Sequence, residues 1–188
     1  MMLNIANRRE CFFDSYLIDT DQTTAEYRVH SPVRREIVME HTAPWEGNGS
    51  DYHNMFFDNG VWRMYYLGWE EFNPKGICVC YAESADGLHW NKPNLGICEW
   101  EGSLDNNIIF NPKTLPVLDN FMVFRDDNPA CPAEKRYKAI LSQENRTLWY
   151  FYSADGLRFS RGGILTDQGV FDSLNVVFWD DLTKKYRC

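Results

Sequence analysis

The phrase SADGLHW, residues 84–90, returns as SADGLRF at residues 153–159. Internal repetition of this kind means a structural unit used more than once, and it limits the folds open to the chain more than any other feature. Asp-Gly is a strong hairpin signal, because tight primed turns need positive φ. Each copy follows an alternating apolar stretch, ICVCYAES or TLWYFYS, and opens a short segment ending in Trp90 or Phe159. The phrase is therefore predicted to be a strand–turn–strand corner.

The repetition extends upstream. DYHNMFFDNGVWRMYY (51–66), DNFMVFRDDNPACPAEKRYKAI (119–140) and DSLNVVFWDDLTKKYRC (172–188) share one plan. A leading aspartate (Asp51, Asp119, Asp172) starts an apolar strand. A turn aspartate follows (Asp58, Asp126, Asp180), then a strand in which an aromatic precedes or meets a basic residue. A period of roughly 50–70 residues with four short strands per unit is the pattern of propeller blades. The expected fold is an all-β propeller with about two and a half blades present. Residues 1–50 form an irregular or closing segment, 51–116 blade one, 117–171 blade two and 172–188 the start of blade three. Strands are predicted near 53–57, 61–68, 77–84 and 88–91, then near 120–125, 136–142, 147–153 and 157–160. FFDSYLI and REIVMEH are further candidate strands, DDNPACPAE reads as an insertion loop with two prolines, and no helical periodicity stands out. A closed propeller needs at least four blades, so the expectation is a fragment, completed by further C-terminal blades or by self-association.

Aromatics make up 15% of the chain and its net charge is −8. The aromatics suit a pleated β core or sugar-facing platforms. The acidity disfavours nucleic acid. No stretch has the length of a membrane span, and the polar start MMLNIANRREC does not read as a secretion signal, so a cytoplasmic protein is expected. The six cysteines lack metal-finger spacing; Cys78 and Cys80 share one strand face and read as packed thiols.

In a propeller the first strand of each blade lines the central channel, so Asp51, Asp119 and Asp172 would converge on one mouth. Converging carboxylates suit acid/base work or a cation site; aspartates that merely cap turns are the other reading. His53, two residues past Asp51, would point to the same side of the strand and could reach a sugar hydroxyl or a central ion. Trp45 could stack on a sugar ring, and Asn54 is a further candidate for substrate binding. Glu46 and Glu70 lie near strand ends and could reach the mouth but read better as surface charge, Glu83 reads as structural, and the amides of DNNIIF as ligand donors or a turn. No metal site and no cofactor are expected, with Ca²⁺ in the channel as the one alternative.

DYHNMFFDNGVWRMYY resembles the first-blade signature of the five-bladed glycoside hydrolases of families 32, 43, 62 and 68. Asp51 stands eight residues before Asn59, as the nucleophilic aspartate does in that pattern. FFDSYLI, PWEG, VCYAESADGLHWNKPNLG, DNNIIF, NPACPAEKRYKAI and YFYSADGLRF are similar to a set of bacterial proteins that resemble the family 32 N-terminal domain. The resemblance implies a glycosidase of carbohydrate metabolism. Asp51 would be nucleophile or base, Asp119 would stabilise the transition state or orient the sugar, and Asp172 would be the nearest candidate for the acid. Two flanking carboxylates are what glycosidic cleavage requires. The text departs from family 32 after Asp51, where Pro-Asn-Gly is missing, around Asp119, which lacks the Arg-Asp-Pro setting, and at Asp172, where the family carries glutamate. A carbohydrate-binding propeller without turnover, and a structural or interaction propeller, are the alternatives.

Overall fold

The computed structural model describes residues 4–6, 10–70, 76–116, 118–143 and 146–188. The chain divides into two units, Met1–Glu36 and Ile37–Cys188. The described residues of the first are turns and extended chain, tied by local contacts such as the Tyr27 hydroxyl to the Asp14 carbonyl at 2.9 Å. FFDSYLI and REIVMEH do not form strands: neither stretch has a partner strand to satisfy its backbone groups.

In the larger unit, Asn59 and Gly60 take φ of 50° and 86°. Positive φ at both central residues makes a two-residue primed turn, whose twist matches that of the strands it joins. It connects β1 (Gly49–Asp58) to β2 (Val61–Trp69). β3 (Cys78–Ser84) and β4 (Ile108–Phe110) complete an antiparallel sheet in chain order. A second such sheet holds β5 (Asp119–Arg125), β6 (Tyr137–Gln143), β7 (Thr147–Ser153) and β8 (Ser160–Thr166). β9 (Phe178–Asp180) and β10 (Lys185–Arg187) form a hairpin. No helix among the described residues is long and apolar enough to cross a membrane; one 3-10 turn, Ala133–Lys135, begins at the end of the insertion read as loop.

The fourth strands depart from expectation. Residues 88–91 keep only an isolated bridge, Glu83 to Asn91. Pro93 follows at once and has no N–H to continue a ladder. The chain loops out and returns as β4, pairing Ile108 with Cys80 and Phe110 with Val79. In the second sheet the fourth strand begins at Ser160 rather than 157, because Leu157 and Phe159 turn inward to pack on the core.

The repeated phrase is a longer corner stitched by its own side chains, not a two-residue primed turn. Ser84 Oγ accepts the Gly87 N–H at 2.9 Å, and Asp86 Oδ1 accepts the N–H groups of Leu88 and His89, both at 2.8 Å. Ser153 and Asp155 repeat this at Gly156, Leu157 and Arg158 with distances of 2.9, 2.8 and 2.8 Å. Gly87 and Gly156 both sit at φ 78°, where a Cβ is disfavoured.

The main core lies between the two sheets: Tyr65, Leu67, Val79 and Tyr81 meet Phe121, Val123, Ala139, Leu141 and Phe151. The opposite face of the first sheet carries Met64, Tyr66, Cys78, Cys80 and Ala82, covered by Met39, Trp45, Ile97 and Trp100. Cys78 and Cys80 thus share one face, as free thiols; burial, then the neighbouring Cys98, pushes Cys78 up to about 12. The outer face of the second sheet carries Met122, Phe124 and Ile140, which pack against Val177 and Leu174.

Candidate functional site

The three leading aspartates share a backbone device that no spacing rule reveals. Each is followed by a non-glycine residue at positive φ: Tyr52 at 53°, Asn120 at 36° and Ser173 at 56°. Such residues are uncommon and mark places that the surrounding structure holds fixed. In β1 and β5 the register also slips there, between Asp51 and Asn54 and between Asp119 and Phe121. Each slip is a bulge with one extra residue on the leading strand. Bulges re-aim side chains and cluster next to active sites.

Two of the three meet. Asp51 and Asp119 line one cavity of about 220 Å³ with Tyr52, Leu67, Trp69 and Ile77. Trp69 Nε1 donates to Asp51 Oδ2 at 3.2 Å. The indole is free to lie there because Gly49 has no side chain: a Cβ on it would stand 2.5 Å from Trp69 Cε2. Gly47, at φ 62°, lies against the Trp69 carbonyl, and Trp69 N donates to the Glu46 carbonyl at 3.1 Å. The paired glycines of EGNGS ahead of Asp51 were the available sign of this close approach. Trp69 itself carries no sequence signal. Asp172 is exposed and does not line this cavity; its Oδ1 accepts the Ser173 N–H at 2.8 Å.

The substrate-binding candidates are already engaged within the protein. Asn54 Oδ1 accepts the Val123 N–H at 2.9 Å and ties the two sheets together. Trp45 packs on the first sheet and donates through Nε1 to Asn107 Oδ1 at 2.7 Å. His53 is exposed, stacks on Tyr66 with ring centroids 5.6 Å apart, and faces His41 with the two Nε2 atoms 3.0 Å apart. Partial desolvation of the ring, then His41, lowers the His53 pKa, opposed by Asp51.

Glu46 corrects the sequence reading outright: it is fully buried, not surface charge. Its carboxylate accepts from Tyr66 Oη at 2.6 Å and from Ala43 N at 2.8 Å, and pairs with Lys92 Nζ at 2.6 Å. Burial raises its pKa, but Lys92, Tyr66 and the Ala43 N–H outweigh that and hold it below the ordinary value. The DNNIIF amides bond within the protein: Asn107 joins the same network, its Nδ2 donating to Tyr66 Oη at 2.8 Å and to the Tyr81 carbonyl at 2.7 Å, while Asn106 Nδ2 holds the loop through the Cys98 carbonyl at 2.8 Å. Glu83 is structural as expected, accepting from Tyr81 Oη at 3.1 Å. Among the described residues no group of three or more His, Cys, Asp or Glu is placed to hold a metal ion.

No protein-family model matches the chain, and no curated protein matches it. Among solved structures, the fold is similar to that of a fructofuranosidase from Schwanniomyces occidentalis, a glutamate-to-alanine variant complexed with fructosylnystose. The TM-score is 0.53 at 18% identity, over 78% of this chain and 30% of that one. The likeness is one of fold alone, that of antiparallel sheets arranged as in a propeller. The chain spans about three-tenths of the length of the fructofuranosidase it matches.

Proposed function

We propose that the chain is part of a propeller glycosidase that hydrolyses glycosidic bonds of oligosaccharides, with Asp51 and Asp119 in its catalytic cleft. The observation that carries this reading is the shared cavity of Asp51 and Asp119, each set on a bulge at the leading end of its sheet. The fold likeness to a fructofuranosidase supports it and suggests fructosyl oligosaccharides as the first substrates to try.

In this reading Asp51 is the nucleophile or base. Trp69 Nε1–H holds one carboxylate oxygen and leaves the other for the sugar. Asp119, across the cavity, stabilises positive charge developing on the sugar or orients its hydroxyls. A second carboxyl must protonate the leaving oxygen; Asp172 is its candidate from this chain. A sugar-binding propeller without turnover is the second reading, favoured by the exposure of Asp172 away from the cavity.

The test is sugar release from a panel of fructosyl and other oligosaccharides by protein carrying this chain, with Asp51→Asn and Asp119→Asn as controls. Turnover lost in both variants, with folding intact, supports hydrolysis. Sugar binding without turnover that survives Asp51→Asn means a binding module. Neither turnover nor binding defeats the proposal.

A further inference from the structure

Two histidines meet outside the Asp51–Asp119 cavity. His53 stands in the β1 bulge, where the register slips between Asp51 and Asn54. Its ring stacks on Tyr66, which belongs to the face of the first sheet turned away from the inter-sheet core. His41 comes from the irregular segment before β1, and its ring also lies against Tyr66, with centroids 4.8 Å apart. The two imidazoles approach end to end: their centroids are 5.1 Å apart and their Nε2 atoms 3.0 Å apart.

The buried Glu46 stands behind His41. His41 Nδ1 makes no hydrogen bond among the described residues, and Glu46 Oε1 lies 3.5 Å from it. The charge on that carboxylate, held in place by Lys92 and the Tyr66 hydroxyl, draws the proton of neutral His41 to Nδ1. An imidazole's tautomer is set by the partner of its other nitrogen, so His41 Nε2 keeps its lone pair and directs it toward His53. Ser50 Oγ lies 3.4 Å from His53 Nε2 and donates its own proton to the Leu67 carbonyl at 2.8 Å. Its lone pairs are left for a donor at the same spot.

We propose that His41 Nε2 and His53 Nε2 chelate one divalent transition-metal ion of the Cu²⁺ or Ni²⁺ class, with water in the remaining positions. A carboxylate on the far nitrogen is the usual support of a metal-bound histidine, and Glu46 supplies it. Ser50 Oγ is placed to accept from a metal-bound water. At metal–nitrogen bonds of about 2.0–2.1 Å, nitrogens 3.0 Å apart subtend roughly 95° at the ion. That angle suits tetragonal Cu²⁺ or Ni²⁺ better than tetrahedral Zn²⁺. Two protein ligands make an exchangeable site, and an ion there ties the segment carrying His41 to β1, two residues from Asp51.

The test uses the whole chain with Cys11→Ser and Cys188→Ser, which removes the exposed thiols that compete for such ions. NiCl₂ and ZnCl₂ are titrated by calorimetry, and one equivalent of CuCl₂ is added for pulsed electron paramagnetic resonance. One Ni²⁺ per chain is expected, bound more tightly than Zn²⁺, and two imidazoles should modulate the copper echo. Loss of even a supporting partner lowers metal affinity about 10–100-fold, so His41→Phe and His53→Phe should each weaken Ni²⁺ at least tenfold. Phenylalanine keeps a ring against Tyr66 while removing the nitrogens, and the copper spectrum of the chain with both histidines needs no substitution in the site. His30→Gln and His89→Gln should leave the affinity unchanged. No saturable one-to-one binding, the result for two rings that only hydrogen-bond to each other, overturns the proposal. So does tighter Zn²⁺ than Ni²⁺, fewer than two imidazoles on copper, or Ni²⁺ affinity unchanged in both phenylalanine variants.

Discussion

Tyr137, on the second strand of one sheet, donates its hydroxyl to Asp58, at the turn of the other sheet, 2.5 Å away. Asp58 is buried, and Arg63 and Arg125 each bring a guanidinium nitrogen within 3.1 Å of it. The link therefore locks one sheet's turn to the start of its neighbour's second strand. A hydrogen bond to a charged group contributes about 1.5–3 kcal/mol. Tyr137→Phe is expected to lower unfolding free energy by about that amount in urea titration. Tyr186→Phe, in the more open second junction, should cost less.

Glu46 is the hinge of a buried network rather than a solvated charge. Removing one partner of a buried pair leaves the other uncompensated and costs about 3–5 kcal/mol. Glu46→Ala should approach that loss, since Lys92, Tyr66 and Ala43 N all point at its carboxylate. Glu46→Ala combined with Lys92→Met should cost less than the sum of the single changes. Additive costs in a double-mutant cycle would show that the pair is not coupled.

The twin glycines of the repeat offer an internal control. Both have φ 78°, but their surroundings differ. A Cβ on Gly156 would stand 2.9 Å from Arg63 Nη1 and from Tyr65 Oη, both of which donate to that corner. A Cβ on Gly87 would meet only Trp62, at 3.5 Å or more. Both alanine variants carry the backbone penalty, of the order of 1 kcal/mol; Gly156→Ala should be the worse. Equal melting temperatures would contradict the packing described.

Acid should weaken the fold in two stages. The His53 pKa is lowered by partial desolvation and by His41, so the unfolded chain binds a proton there before the folded one does. Stability is then complete above the ordinary imidazole range and falls as pH drops through the lowered value. Burial opposes but does not overcome the partners that lower Glu46 and Asp126, Lys92 for one and Lys138 for the other. Their contribution is present above the ordinary carboxylate range and is lost at still lower pH. His53→Gln should flatten the first stage of a stability–pH profile and leave the second unchanged.

The sequence by itself determined what is local and repeated. Asn59-Gly60 can only make a tight turn, and the serine, aspartate and glycine of SADGL bond to backbone within three residues, so identical text gives the same corner twice. The alternating aromatic strands and the three leading aspartates were legible for the same reason. The tertiary structure decided whatever joins residues far apart in the chain. β3 takes its second partner, the sheet's fourth strand, at 108–110 after a long loop, a choice made by which segment fills the sheet edge. Glu46 looked like a surface charge because nothing near it in the chain announces Tyr66 or Lys92. Asp51 and Asp119 share a cavity while Asp172 does not line it, although each of the three is followed by a residue at positive φ. Short-range hydrogen bonds need only neighbouring residues; burial and convergence need the sheets to pack, which sequence spacing alone does not fix.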